Sequence, residues 1–268
     1  MTDIAIIAGA GALPAALAAV LPETPLVASL EGYAPEGLQA DITFRVERLV
    51  PFLGALLDRG ITRVVFAGAI QRPRLDPSLF DPQTAQMVPR LLAAMGQGDD
   101  ATLRAVIAIF EEAGLAVVGV NEVAAGLVPG AGVICGAPSK ADEKDADRAA
   151  AIVEALGRAD VGQGCVVQQG LCLAAEALPG TDAMLAGVAL LPAALRPDPA
   201  RGRGLFYKAP KPGQDLRIDL PTLGPDTVTR ATEAGLGGIV FAAGGVICLD
   251  LAEMRARADA AGLFLWAR

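Results

Sequence analysis

Whatever chemistry this chain performs, it performs without histidine, because none of its 268 residues is one. That excludes Ser-His-Asp and Cys-His triads, histidine zinc sites and the His/Asp dinuclear centres of calcineurin-like phosphoesterases. Carboxylates, Lys, Arg, Thr, Tyr and backbone amides remain, with Mg²⁺ the natural metal because carboxylate and phosphate oxygens suit a hard cation. The densest group of such residues is at 208–225. There Asp215, Arg217 and Asp219 alternate with Leu216, Ile218 and Leu220, which in an extended strand gives one ionic and one apolar face. Two carboxylates beside one guanidinium suit a metal or phosphate site, although a solvated edge strand has the same pattern. Lys208 and Lys211, separated by Ala209 and Pro210, are expected to project from a Pro/Gly loop, either solvated or meeting a diphosphate as point charges.

Other candidates are spread along the chain. Gly9, Ala10 and Gly11 follow an apolar run and precede a helix, so their amides form either a tight turn or a phosphate cradle. The third glycine of a dinucleotide fingerprint is replaced by Pro14, and Glu31, 20 residues after Gly11, is placed as a ribose reader would be. Arg72 lies just beyond the carboxyl end of a predicted strand, where α/β sheets bind ligands, and is either a grip for an anionic group or an ordinary surface loop arginine. Asp99 and Asp100 open a helix that one of them caps, leaving the other, with Arg104 one turn on, to touch a ligand or metal. Glu176, Thr181 and Asp182 follow a predicted strand pair. With Asp215 and Asp219 they would gather carboxylates at strand ends.

These residues have to be positioned by strands alternating with helices, the pattern of a parallel sheet with Rossmann-like winding. The predicted elements are strands at 3–8, 26–30, 63–67 and 116–120, with helices at 14–20, 50–59 and 101–113. A Gly/Pro-rich stretch near 126–140 then separates a first domain, 1–130, from a second, 131–268. The second carries a helix at 141–156, strands at 165–168, 171–176 and 215–220, a helix at 227–234, strands near Ile239 and Val246, a helix at 251–261 and a strand at 263–266. Apolar content of 53% and mean hydropathy of +0.46 leave ample core material for two α/β domains. A net charge of −8 without any Lys/Arg run argues against nucleic acid. Cys135, Cys165, Cys172 and Cys248 lack CxxC spacing and read as buried free thiols. The uncharged run from Ile4 to Pro22 is no signal peptide, since Asp3 precedes it and Gly9, Gly11 and Pro14 interrupt it; a cytoplasmic location is expected.

Six motifs in order resemble the LpxI family, the UDP-2,3-diacylglucosamine pyrophosphatases of lipid A biosynthesis. They are Gly9-x-Gly11-x-Leu13-Pro14, Gly68-x-Ile70-Gln71-Arg72-Pro73, Gly98-Asp99-Asp100-x-x-Leu103-Arg104, Asp160-Val161-Gly162-Gln163, Glu176-Ala177-x-x-Gly180-Thr181-Asp182, and Lys211-Pro212-x-Gln214-Asp215-x-Arg217-x-Asp219-Leu220-Pro221-Thr222-x-Gly224-Pro225. The resemblance implies Mg²⁺-dependent hydrolysis to UMP and 2,3-diacylglucosamine 1-phosphate, water attacking the sugar-side phosphorus, and the lipid held between two α/β domains. It implies Asp215, Arg217 and Asp219 as catalytic residues, with Asp215 and Asp219 both candidates for the essential acid. Asp215, Asp219 and Glu176 are the implied metal ligands. Gly9, Gly11, Arg72, Asp99, Asp100, Arg104, Gln163, Thr181, Lys208, Lys211 and Thr222 are the implied substrate contacts. The implied partners are the lipid nucleotide and transiently the inner membrane surface, and a homodimer is compatible with this. An NAD-dependent oxidoreductase using Gly9, Gly11 and Glu31, and a non-catalytic nucleotide-sugar binder, are the alternatives.

Overall fold

A computed structural model describes residues 2–70, 75–96 and 99–268, apart from the side chains of Asp99 and Asp100. The chain divides into two compact units, Met1–Ala125 with Asp215–Asp219, and Gly126–Gln214 with Leu220–Arg268. The return of five late residues to the first unit is not visible in the sequence pattern.

The first unit contains β1 (Ile4–Ala8), α1 (Leu13–Val20), β2 (Leu26–Leu30), β3 (Ile42–Phe44), α2 (Leu49–Leu57), β4 (Arg63–Ala67), α3 (Pro82–Ala85), α4 (Val88–Met95), α5 (Asp99–Glu112), β5 (Ala116–Val117) and α6 (Val120–Val123). Its five strands are all parallel in the order β3-β2-β1-β4-β5, the expected Rossmann-like winding. All five residues of β1 are buried and apolar, as a central parallel strand covered on both faces requires. Strand order reverses between β1 and β4, so their carboxyl ends form the crevice where such sheets take ligands. At that point the two loops lie backbone on backbone. The Gly9 N–H donates to the Ala67 carbonyl at 2.8 Å, and Ala10 and Ala69 exchange N–H···O bonds of 2.9 Å. A Cβ on Gly9 would stand 2.6 Å from the Ala69 carbonyl oxygen, so Gly9 is required by close approach. The first two amides of the expected phosphate cradle are thereby spent inside the protein.

The second unit contains β6 (Gly132–Cys135), α7 (Lys140–Arg158), β7 (Gly164–Gln168), β8 (Leu171–Ala175), α8 (Gly180–Ala189), β9 (Leu205–Lys208), β10 (Thr222–Leu223), α9 (Pro225–Glu233), β11 (Gly238–Phe241), β12 (Ile247–Cys248), α10 (Leu251–Ala261) and β13 (Phe264–Ala267). Six strands make a mixed sheet, β6-β13-β11-β9-β7-β8, parallel in its centre and antiparallel toward both edges. Ala146, Ala149 and Val153 of α7 pack on one face against Cys165, Val167, Leu205 and Tyr207. Met184, Leu185, Val228, Met254 and Ala258, from α8, α9 and α10, pack on the other against Val166, Phe206 and Phe241. Ser139 and Asp142 form a reciprocal capping box that starts α7.

Three expectations need correction. Residues 215–220 are not a strand: the Asp215 carbonyl accepts from the N–H groups of Ile218 (3.3 Å) and Asp219 (3.4 Å), closing a turn. The strand expected at 116–120 stops at Val117, because the Glu122 carboxylate takes the Gly119 N–H at 2.8 Å and starts α6. Cys172 is exposed rather than buried, since β8 is an edge strand. Cys135, Cys165 and Cys248 are buried, and burial pushes the Cys165 and Cys248 thiols up to about 12.

Gly9→Ala is expected to cost about 1–3 kcal/mol, because backbone rather than a flexible side chain occupies the space the methyl needs. Urea unfolding of the variant beside wild type measures it.

Candidate active site

The turn at 215–219 is held in the first unit by one guanidinium. Arg217 forks onto Asp215, Nε to Oδ1 at 3.0 Å and Nη2 to Oδ2 at 2.7 Å, while Nη1 donates to Glu111 of α5 at 2.7 Å. The Arg217 N–H also donates to Asp215 Oδ1 at 3.0 Å, and Ile218 packs against the apolar core of the unit. Hydrogen bonds from Arg217 hold the Asp215 carboxyl below the usual carboxylate range, against the opposing effect of burial; the charge of Arg104 acts in the same direction. Asp215, Arg217 and Arg104, three residues singled out by the motifs, are therefore brought together, with Asp219 half-buried at the end of the turn. Asp215 and Arg217 meet through a tight turn rather than by sharing a strand face. Glu111 escaped notice, although it lies two helical turns beyond Arg104 on the same face of α5.

In the second unit the antiparallel register sets Gly164 opposite Lys208, so β7 begins where β9 ends. The Glu176 N–H donates to the Gly164 carbonyl at 2.9 Å and brings in the end of β8. Lys208 does not project from a loop. It closes β9, and its Nζ bonds Glu176 Oε1 (2.9 Å), Glu176 Oε2 (2.8 Å) and the Thr181 hydroxyl (2.7 Å), using all three of its protons. The Thr181 hydroxyl in turn donates to Glu176 Oε1 at 3.1 Å. Only 6% of the Lys208 side chain and 11% of that of Glu176 are exposed. Gly162 and Gly164 make room, since a Cβ on either would meet Glu176. Alongside, Lys211 pairs with Asp160 at 2.5 Å, and the Gln214 side-chain oxygen Oε1 accepts from Gln163 Nε2 (3.0 Å) and from the Lys211 N–H (2.8 Å). Motif residues from Asp160 to Gln214 thus meet at one end of the sheet.

The remaining candidates differ in position. Gly11 has φ +95°, a conformation glycine favours, and its carbonyl accepts from the Glu36 N–H. Thr222 is exposed in β10, with its hydroxyl toward the Leu220 carbonyl at 3.5 Å. Arg72, and the side chains of Asp99 and Asp100, lie outside the described residues. Glu31 is bonded to Arg45 at 2.8 Å, which occupies the residue a dinucleotide site would need for its ribose.

Two of the three ligands expected for a metal are engaged in ion pairs. Arg217 engages both oxygens of Asp215, and Lys208 engages both oxygens of Glu176. Among the described residues no three His, Cys, Asp or Glu side chains form a metal-holding group.

Two family profiles match the chain: the LpxI N-terminal domain over residues 3–127 and the LpxI C-terminal domain over 130–266. The chain belongs to the LpxI family. A relative from Caulobacter vibrioides, described as UDP-2,3-diacylglucosamine pyrophosphatase LpxI, is 39% identical over 274 residues, spanning 99% of this chain and 97% of the relative. Asp215, Arg217 and Arg104 of the first cluster, and Glu176 and Thr181 of the second, belong to the motifs quoted above; Glu111 and Lys208 do not.

Lys208→Met is expected to lower stability by about 3–5 kcal/mol by leaving the Glu176 carboxylate buried and unpaired. Lys208→Met combined with Glu176→Gln should recover most of that loss in the same denaturant measurement. Because the Asp215 pKa is depressed by folding, its stabilisation is complete above the unfolded value of about 3.9 and fades as pH falls through the folded value. The stability difference between wild type and Asp215→Asn should therefore be constant near neutral pH and shrink in acid.

Proposed function

We propose that the chain hydrolyses the diphosphate of UDP-2,3-diacylglucosamine to UMP and 2,3-diacylglucosamine 1-phosphate. The observation that carries this reading is the match to both LpxI domains, joined to 39% identity with a relative whose name states the activity. The residue chemistry supports it. Splitting a phosphoric anhydride needs an in-line water and positive charge against the developing negative oxygens, and requires neither histidine nor a covalent intermediate.

Asp219 is assigned to orient the attacking water, as the half-buried carboxylate at the end of the turn that Arg217 and Ile218 fix. The water oxygen bonds to the sugar-side phosphorus, the bond from that phosphorus to the bridging oxygen breaks, and UMP leaves with that oxygen. The proton of the water passes to Asp219 and on to solvent. Arg104 and Lys211 supply cationic charge, with Arg72, Gln163, Thr181 and Thr222 as polar contacts to the substrate. Lys208, whose protons are all engaged, instead positions Glu176 and Thr181. Mg²⁺ is assigned to the substrate diphosphate rather than to a preformed protein site, a mode that needs few protein donors. The reaction is placed at the cytoplasmic surface of the inner membrane, which the chain visits transiently. No described helix is long and apolar enough to cross a membrane.

Mass-spectrometric assay of purified protein with the substrate should show UMP release that EDTA abolishes. In heavy-oxygen water the label should enter the sugar phosphate. Asp219→Asn should reduce kcat by at least about 10² at unchanged Tm, the loss expected for a contact made in the transition state. Label in UMP would reverse the direction of attack, and wild-type kcat in Asp219→Asn would remove that residue from the chemistry.

A further inference from the structure

The four most exposed large apolar side chains among the described residues are Leu178 (100%), Leu190 (83%), Leu195 (68%) and Leu171 (60%). All four belong to one stretch of the second unit, residues 161–195. Only Glu176 and Asp182 carry charge in those 35 residues, against 19% charged residues in the whole chain. Both are neutralised within the fold, Glu176 by Lys208 and Asp182 by Arg230 at 3.1 Å. Helix α8 runs through the middle of the stretch and is apolar on both sides. Met184, Leu185 and Val188 are buried in the core, while Ala183, Ala186, Gly187, Ala189 and Leu190 face solvent. A helix that is apolar all round is normally covered, and here the most exposed leucines lie just before and just after such a helix in an almost uncharged stretch, as at a docking surface.

We propose that the outer side of α8, with Leu178 ahead of it and Leu190 and Leu195 behind it, docks on a lipid surface. This rests on the proposed function in one respect, that a diacyl substrate is presented by a bilayer. The leucines lie on the loop ahead of α8 and beyond its far end with only small side chains exposed between them, so they suit a deformable acyl layer better than a rigid protein groove. Charge points the same way. On a protein of net charge −8, this stretch is one that an anionic leaflet does not repel. Having no Lys or Arg of its own, it gains nothing from anionic headgroups and binds by apolar burial. Leu178 also lies two residues after Glu176 and three before Thr181, which makes the docking face continuous with the Lys208 cluster.

The test is co-sedimentation of the full chain with vesicles of phosphatidylcholine alone and of phosphatidylethanolamine with phosphatidylglycerol. Wild type should pellet with both and remain bound in high salt. Combined Leu178→Glu, Leu190→Glu and Leu195→Glu should reduce the bound fraction at least about tenfold through loss of apolar burial, with Tm unchanged because all three side chains are exposed. A triple variant that binds as wild type does, or wild-type binding that needs anionic lipid and is released by salt, overturns the proposal. So does a wild type that fails to pellet and is instead a dimer by light scattering that the triple variant splits, which assigns the face to a second copy. UMP release from substrate in detergent micelles is measured in parallel. Its absence with vesicle binding intact refutes the proposed activity and leaves the docking face standing.

Discussion

The Arg217 guanidinium, bonded at once to Asp215 and to Glu111, keeps residues 215–219 in the first unit although their neighbours on both sides belong to the second. A bidentate fork fixes orientation as well as distance, so it sets the direction in which the turn presents Asp219. Ile218 secures the same turn by packing its half-buried side chain against the core. An ionic clamp on one side and an apolar anchor on the other hold five residues that have no regular structure. The cost is a constraint on composition, since neither Lys at 217 nor Asn at 215 reproduces the paired geometry.

The second unit solves a different electrostatic problem. Lys208 and Glu176 are both nearly out of water, a placement tolerated only when every proton and lone pair in reach is used. The Thr181 hydroxyl completes the set, and the glycines at 162 and 164 allow the backbones to close around it. This makes the cluster a rigid support rather than a cationic hand for a phosphate. Charge for an anionic substrate then has to come from other side chains, and the sequence has no Lys/Arg run to supply it as a basic patch.

The same separation of roles appears in how apolar material is used. In the second unit α7 and α9 carry charged residues opposite their buried ones, whereas α8 has no charged residue beyond its first turn. The contrast within one domain shows that the uncharged surface is local to α8 and its flanks rather than a consequence of a hydrophobic composition.

Periodicity and punctuation in the sequence were enough to place β4 at 63–67, α10 at 251–261 and the parallel winding of the first sheet, because apolar runs, glycines and prolines act locally. The motifs were enough to name the family. They did not say which of their residues touch. The alternation at 215–220 imitates a strand, because periodicity carries direction only once the chain is known to be extended. Here an arginine two residues from an aspartate folded it into a turn. Lys208 looked like a loop residue because the apolar run before it is only three residues long and the glycines at 202 and 204 mask the start of β9. Its burial depended on Glu176 and Thr181, 32 and 27 residues away. Cys172 reads like the three buried cysteines, and only the order of strands made its position an edge. In each case the sequence determined what a residue can do, while the fold determined which partner satisfied it, because burying a polar or reactive group is stable only where a distant part of the chain supplies the complementary one.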